Sequence, residues 1–569
     1  MTWKTYAPHW WALTLPTVPL RLRHVLEELS DLPGVQRVQV GRTRETHFID
    51  VTLALHETAF MSEPFLHLCD SLDLREPIPT RSAIAIAPSV RTLREYQSEG
   101  VRWLVQNGGG VLGDEMGLGK TSSAIVAAET LRQSRDPHAP ILIIGPKFVR
   151  DVWRRELAAV LGTDSFFACD KRKPVALDEF AMRDAKWWFC HYEILDGWRA
   201  TITRPMAARR PNVVILDEAH WLRNPRAKRT KAALATATLA PARIVLTGTP
   251  IANKVTDLWP LLTLVNGTGS WGTSFSFAHR YTHQEKDTYG WVSRGTRNMN
   301  ELHARMDNTY LRRTIEDVGG EIPALTREQF TVASEGTMPR ELKKWCGGNV
   351  ELALERFSDA LASGNLGGET LEAITAWRKW TSETKLAHTV HLAASLLTEG
   401  EHVVIFTWQR ETAEQIAQNI KDCLEDDVGF VDVVHGGIPQ DTRDATVQSF
   451  QTTTAPCAIV ATIDSLKEGV TLHRARRVII HDLHWVPATL LQAEARIHRI
   501  GQTRPCLSTW MIVEDSVDSV IAKHLVSKAE VITAALDDTK AEDAFNQVGL
   551  ATVDTSGEDF ANRILEGAL

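Results

Sequence analysis

The sequence predicts an α/β protein with two parallel-sheet lobes, a small N-terminal α/β extension and helical insertions. Three observations predict it. Short continuous apolar runs, such as residues 141–144, 213–216, 403–406 and 458–461, alternate with helical periodicity, the pattern of parallel strands covered on both faces. The alternation comes in two blocks, about 91–330 and from 403 onward, separated by a helical stretch at 341–380. The length, 569 residues, exceeds what one hydrophobic core organises.

From the N-terminus, residues 20–29 have helical spacing, with Gly34 just past a stop. Residues 35–40 and 47–55 read as strands around a polar turn. Pro77, Pro79 and Pro88 mark a boundary, so an N-terminal module is expected over 1–88. A first lobe follows at 89–334, then a helical connection at 335–384 with a glycine-rich break at 364–368. The second lobe is expected at 385–514, with strands at 403–406, 431–434, 458–461 and 478–480. Residues 515–536 read as one bracing helix, and the remainder to 569 as a disordered acidic tail.

Composition narrows the class. With 43% hydrophobic and 24% charged residues, the chain reads as a soluble globular protein. No apolar run approaches the roughly 18 residues needed to cross a bilayer, and the early prolines interrupt any secretory signal. Neither a membrane partner nor secretion is expected, and the location expected is cytoplasmic. The seven cysteines form no CxxC pair, which argues against a zinc finger or a disulfide scaffold. The net charge of −8 counts against a basic nucleic-acid binder, but it is uneven. Residues 537–569 carry eight acids and two bases, whereas 467–504 hold seven bases and three acids. A groove that grips a duplex needs such a local basic face rather than a basic whole.

Three segments carry chemistry. Gly113-Asp-Glu-Met-Gly117-Leu118-Gly119-Lys120-Thr121 leads into a helix expected to start near Lys120. Glycines let backbone N–H groups close around phosphates, the helix N-terminus favours the anion, Lys120 suits the β/γ-phosphates and the Thr121 hydroxyl suits magnesium. The general pattern wants glycine where Asp114 stands. About 100 residues on, the apolar run 213–216 ends in Asp217-Glu218. Asp217 is placed to hold magnesium and Glu218 to polarise the attacking water. Two acids after a strand are by themselves usually a solvated turn; paired with the glycine loop they form a constellation. In the far lobe, Gln492, Arg496 and Arg499 would share one face if their segment is helical. Two arginines there suit a γ-phosphate, an arrangement worth about 10³- to 10⁵-fold in rate. A salt-bridged surface helix is the plain alternative.

Together with their neighbours these segments resemble the Swi/Snf-type DNA translocases of helicase superfamily two, in register from about 90 to 535. Leu93-Arg94-Glu-Tyr96-Gln97 resembles the adenine-reading motif, Asp217-Glu-Ala-His220 the DEAH box, and Leu246-Thr247-Gly248-Thr249-Pro250 the coupling motif. Tyr310-Leu-Arg312-Arg313 resembles the segment that closes the first lobe. His435-Gly-Gly437, Glu468-Gly469-Val-Thr-Leu472 and Trp485-Val-Pro487 resemble second-lobe motifs. The short connection and the Leu-Leu-Gln-Ala-Glu run before Ala495 resemble the compact branch that includes fork-remodelling annealing helicases. Two departures stand out: Val486 where the family commonly has asparagine, and Ala495 where it often has aspartate.

The resemblance implies two RecA-like lobes, ATP and magnesium as cofactors, and double-stranded or forked DNA as partner. The nucleotide-holding set is then Gln97, Arg94, Gly117, Leu118, Gly119, Lys120, Thr121, Ser122 and Gly469, with Thr121 and Asp217 at the metal. Catalytic groups are Lys120, Asp217, Glu218, Gln492, Arg496 and Arg499. His220, Thr247, Gly248 and Thr249 would couple nucleotide state to DNA grip. Candidate DNA contacts are Lys147, Arg150, Asn224, Trp408, Arg410, His435 and Lys467. A monomer is expected, with replication or repair proteins as further partners. Two rivals stay open: a strand-separating DNA or RNA helicase of the same superfamily, and a DNA-binding scaffold that does not hydrolyse ATP.

Overall fold

The structure is a computed structural model. It describes the backbone of four N-terminal strands within residues 2–56, and residues 85–550 except 175–181, 183, 204–209, 288–289, 319–322, 335–336, 364–367, 425–428, 466–469, 500, 537–539 and 549.

The N-terminal strands are β1 (Thr2–Ala7), β2 (Trp10–Pro19), β3 (Val35–Arg42) and β4 (Phe48–His56). They form an antiparallel sheet in the order β1-β2-β4-β3. Sequence reading anticipates β3 and β4 but not the first two strands, because Pro8 and Pro16 break up their alternation. The helix expected at 20–29 and the boundary prolines 77 and 79 lie outside the described residues.

Contacts divide the chain into two units. The first comprises Met1–Ile251, Val255–Gln284 and Arg297–Val318. Its sheet uses β5 (Gly109–Leu112), β6 (Ile141–Gly145), β7 (Phe166–Cys169), β8 (Trp187–His191), β9 (Val213–Leu216), β10 (Ala242–Leu246) and β13 (Tyr310–Leu311). The seven strands are parallel, in the order β13-β5-β10-β9-β6-β8-β7. Every residue of β5, β6 and β9 is buried, which is why these strands read as unbroken apolar runs. The helices Glu95–Asn107, Lys120–Arg135 and Arg150–Leu161 pack Leu104, Ile125, Leu131, Trp153 and Leu157 into the core beside Ile143, Ile215 and Ile244. Between β10 and β13 a two-stranded hairpin, β11 (His283–Asp287) with β12 (Gly290–Arg294), is inserted.

The second unit comprises Ala252–Lys254, Glu285–Thr296 and Gly319–Leu569. Its parallel sheet has the order β14-β19-β18-β15-β17-β16, built from β14 (Leu325–Val332), β15 (Val403–Thr407), β16 (Phe430–Val434), β17 (Cys457–Thr462), β18 (Arg477–Ile480) and β19 (Cys506–Val513). Three sequence expectations change here. Residues 325–332, expected in the first lobe, pair along their whole length with β19. The connection does not end at 384: one helix runs over Gly368–Thr398, and Ile374 and Trp377 join Leu342, Cys346 and Phe357 in the second-lobe core. Part of the acidic tail is ordered. The helix Lys540–Val548 buries Ala544, Phe545 and Val548, and Phe545 meets Trp510 edge-on at 6.0 Å between ring centroids. Its acids mask an apolar stripe at i, i+1 and i+4, sufficient for one amphipathic turn.

Candidate functional site

In a parallel α/β sheet, ligands bind beyond the carboxyl ends of the strands. In the first unit, β5, β6, β9 and β10 all end on one such edge. They deliver Gly113, Lys147, Asp217 and Thr247 respectively.

The loop after β5 is built around its cation. Gly117 and Gly119 adopt φ of 90° and 74°, a region open to glycine at no steric cost. The helix begins at Lys120 as expected, and Thr121 stands half-buried in its first turn. Lys120 Nζ donates to the carbonyls of Asp114 and Glu115 at 2.7 and 3.1 Å. Burial pushes this ammonium down from its ordinary range, against the pull of Glu218, Asp114 and Asp217. Asp114, where the general pattern has glycine, is buried and held by Arg313 at 3.0 and 2.5 Å. The departure thus has a partner: Asp114 and Arg313 tie the loop to the segment after β13. Arg312 donates to the Gly113 carbonyl at 2.7 Å and reaches that of Gly248 at 3.4 Å.

Gln97 is buried against the same loop. Its Nε2 donates to the Leu118 carbonyl at 3.1 Å, and its Oε1 accepts from the Arg94 N–H at 3.1 Å. The Tyr96 hydroxyl also donates to Leu118 O, at 3.1 Å, and Arg313 lies over the Tyr96 ring at 5.5 Å. Ser122, expected at the nucleotide, instead donates to Glu156 at 3.1 Å; it occupies the helix position after Thr121 and faces the neighbouring helix.

Asp217 N–H donates to Ile144 O at 2.8 Å, which continues the sheet one residue past β9. The Trp153 indole donates to Asp217 Oδ2 and the Glu218 N–H to Oδ1, both at 2.8 Å. The Tyr192 hydroxyl donates to the Asp217 carbonyl at 2.7 Å. Burial, and then the adjacent Glu218, raise the Asp217 carboxyl to about 6. Glu218 turns away in the left-handed region, φ 47°, and its Oε2 lies 3.2 Å from His220 Nδ1. Gly248 closes the group: a Cβ there would meet Met116 Cγ at 2.7 Å and Lys120 Nζ at 3.3 Å, so the coupling segment's backbone approaches the loop closely. Thr247 is buried, and its Oγ1 accepts from the Thr249 N–H at 3.1 Å.

Among the described residues, no cluster of three or more His, Cys, Asp or Glu side chains could cage a metal. Magnesium does not need one, since it keeps waters and shares phosphate oxygens. The donor set suits it. Two adjacent carboxylates, one of them raised by burial and its neighbour, are relieved by a divalent cation, and Thr121 offers a hydroxyl.

In the second unit the helix Pro487–Glu494 ends before the arginines. The expected single helical face through Gln492, Arg496 and Arg499 is therefore absent. The backbone tightens into turns, Arg496 N–H to Ala493 O at 3.2 Å and Ile497 N–H to Glu494 O at 3.1 Å, while Leu472 N–H takes the Arg496 carbonyl at 2.8 Å. Gln492 and Arg496 are buried and Arg499 half-buried. Glu494 is fixed by Arg327, at 2.9 Å, and by the Trp510 indole, at 3.1 Å. Gln502 Nε2 donates to the carbonyls of His473, Ala475 and Ile497.

The candidate DNA residues divide by environment. Lys147 is exposed. Arg150 is bound to Asp151 and Asp170 at 2.9 and 2.8 Å, which holds its guanidinium well above its usual range. Asn224 is exposed and accepts from the Arg226 N–H at 2.9 Å. Arg410 pairs with Glu414 at 2.9 Å. His435 is buried, accepts from Gly437 N–H at 3.0 Å and faces Glu414 at 3.2 Å. Trp408 lies under the Arg378 guanidinium, 4.0 Å from its centroid. Lys467 and Gly469 lie outside the described residues.

Beneath Trp408 is a fully buried polar network. Lys385 Nζ lies 2.9 Å from Asp518 and 3.3 Å from Asp482. Asp482 Oδ2 also accepts from Thr407 at 2.5 Å, Ser382 at 3.1 Å and the Trp408 N–H at 3.2 Å. His481 contacts Thr389 at 2.8 Å and Ser382 at 3.1 Å, and burial lowers it to about 4.

Sequence reading missed Trp153, Tyr192, Arg327 and Lys385. Each lies far along the chain from its partner, and an isolated tryptophan or lysine carries no spacing signal.

Comparison with known proteins agrees with the motifs. Residues 96–336 match the SNF2-related domain and residues 384–501 the helicase conserved C-terminal domain. A Drosophila melanogaster SWI/SNF-related matrix-associated actin-dependent regulator of chromatin subfamily A-like protein 1 is 26% identical over 86% of this chain and 62% of its own length. The Bos taurus DNA annealing helicase and endonuclease ZRANB3 is 24% identical over 79% of this chain and 41% of its own. The chain thus spans about half the length of these relatives. A solved Sulfolobus solfataricus SWI2/SNF2 ATPase core in complex with dsDNA is 24% identical, covers 82% of this chain and 99% of its own, and superposes with a TM-score of 0.38. The chain thus carries a match to the SNF2-related domain followed by one to the helicase conserved C-terminal domain, and the loop, acid-pair and coupling motifs of the first lie on one sheet edge.

Proposed function

We propose that the protein is a DNA-dependent ATPase that couples hydrolysis to movement along, or remodelling of, double-stranded DNA. One observation carries this reading: Lys120, Asp217, Glu218 and Gly248 converge on a single glycine-lined loop at the carboxyl edge of the first sheet. Gln97 and Arg94 frame the base side, and Thr121 and Asp217 would hold magnesium, whose charge would offset that of the phosphates. Lys120 exchanges its two loop carbonyls for phosphate oxygens. Glu218, beside His220, orients water and accepts its proton. Arg496 and Arg499 supply positive charge to the γ-phosphate from the second lobe, with Gln492 in support. Thr247, Gly248 and Thr249 sense the outcome, because the Gly248 backbone abuts Lys120 and Met116. Contacts to DNA are made to the backbone rather than the bases, with exposed Lys147 and Asn224 as the first-lobe candidates and Trp408 and Lys467 as those of the second. Double-stranded or forked DNA is the proposed partner, and a monomer the proposed working form.

A triplex-displacement assay on duplex DNA tests the reading. ATP-dependent release of the third strand without unwinding of the duplex supports a translocase. Unwinding of forked duplex or RNA places the protein with strand-separating helicases.

A further inference from the structure

We propose that Trp153 is a positioning residue for the Asp217 carboxylate, and that its indole N–H sets how tightly the site takes a divalent cation. The proposal rests on the reading of this edge as a magnesium-nucleotide site.

Trp153 lies in the first turns of the helix Arg150–Leu161 and is fully buried in the first-lobe core. A buried indole has one polar atom, and that atom seeks an acceptor. Three other indoles of this lobe donate to backbone carbonyls: Trp188 to Met182 and Ala185, Trp198 to Lys171 and Trp259 to Gly272. Trp153 instead donates to a side-chain carboxylate, Asp217 Oδ2, at 2.8 Å. Among the described residues, the second lobe has one comparable bond, Trp510 to Glu494. There the carboxylate already holds an arginine, Arg327 at 2.9 Å. No arginine or lysine forms an ion pair with Asp217 among those the structure records, and the group adjoining it is another acid, Glu218.

The remaining contacts on Asp217 fix its backbone. Its N–H is bound by Ile144 O, and its carbonyl takes the Tyr192 hydroxyl at 2.7 Å. What these leave free is rotation of the carboxylate, and the indole bond to Oδ2 and the Glu218 N–H to Oδ1 together stop it. Two donors occupy about half of a carboxylate's acceptor sites, so the group stays oriented while still able to receive a cation. Groups behind a metal ligand that orient it in this way typically change metal affinity by about 10- to 100-fold when removed.

The test compares wild type with two variants. Trp153→Phe keeps most of the volume and loses the N–H. Benzothienylalanine at position 153, introduced by nonsense suppression, keeps the bicyclic shape and replaces N–H by sulfur. Binding of a fluorescent ADP analogue is titrated with Mg²⁺ and repeated in a chelator, and thermal midpoints are measured alongside. The proposal expects Mg²⁺ dependence weakened about 10- to 100-fold in both variants, metal-free nucleotide binding unchanged, and a near wild-type melting midpoint for the benzothienyl variant. A stable benzothienyl variant with wild-type Mg²⁺ dependence would overturn it and leave Trp153 a packing residue. Nucleotide binding that ignores Mg²⁺ in the wild-type protein would instead overturn the parent reading of the site.

Discussion

Each lobe places a lysine and two carboxylates near the carboxyl edge of a parallel sheet, yet the two clusters are arranged oppositely. In the second lobe, Lys385 lies within 3.3 Å of both Asp482 and Asp518, and the Ser382 and Thr407 hydroxyls and the Val513 N–H also donate to these carboxylates. In the first lobe, Lys120 donates to loop carbonyls rather than to the nearby acids, and Asp217 and Glu218 stand side by side with Asp217 raised to about 6. The second cluster is electrostatically closed and the first is open. A closed cluster holds a fold together; adjacent acids at a glycine-lined loop suit a cationic ligand.

The comparison can be broken most sharply at its two lysines. Lys120→Ala should reduce ATP turnover by at least about 10³-fold while shifting the denaturant midpoint little. Lys385→Met should do the reverse: two buried carboxylates lose their cation, at a cost of about 3–5 kcal/mol, read by urea unfolding, with nucleotide binding by the first lobe retained in the folded fraction. Equal stability losses in both variants would end the distinction.

Acid should weaken the stability that the closed cluster provides. His481 is fully buried and neutral, lowered to about 4 from an ordinary 6.5. Between those values the unfolded chain binds a proton that the folded chain refuses, so stability falls as pH drops from about 6.5 toward 4, by about 3 kcal/mol. Melting between pH 7 and 4.5 checks this, and His481→Gln should flatten the slope. The smallest effect is expected at Gly248. Its added Cβ meets the flexible Met116 side chain at 2.7 Å, which can move aside, so Gly248→Ala should slow turnover by about tenfold or less and Met116→Ala should restore part of it.

The open cluster was largely legible in the sequence and the closed one was not, for a physical reason. A phosphate loop and an acid pair are local: Gly117, Gly119, Lys120 and Asp217-Glu218 announce themselves by spacing. The network around Lys385 draws on residues 382, 407, 482 and 518, which only the strand order brings together. Trp153 belongs to the same class. The strands β6, β9, β15, β17 and β18 were readable because burial on both faces makes them apolar, whereas β14, with burial alternating along most of its length, was not. Register was not readable, so the pairing of β14 with β19 appeared only in three dimensions. The helix Lys540–Val548 was hidden by charge, since Glu542 and Asp543 stand beside the short apolar stripe of Ala544, Phe545 and Val548 that seats it. The arginine segment erred the other way: its periodicity fits a helix, but the claim of Leu472 on the Arg496 carbonyl ends that helix early.

The most direct test of the central claim is ATP turnover at one fixed salt concentration, because phosphate contacts are steeply salt-dependent. It is measured without nucleic acid, then with double-stranded DNA, single-stranded DNA and RNA in parallel, for wild type and Lys120→Ala. The account predicts strong stimulation by duplex or forked DNA that disappears in Lys120→Ala. Stimulation by RNA alone, or wild-type turnover in Lys120→Ala, would contradict it.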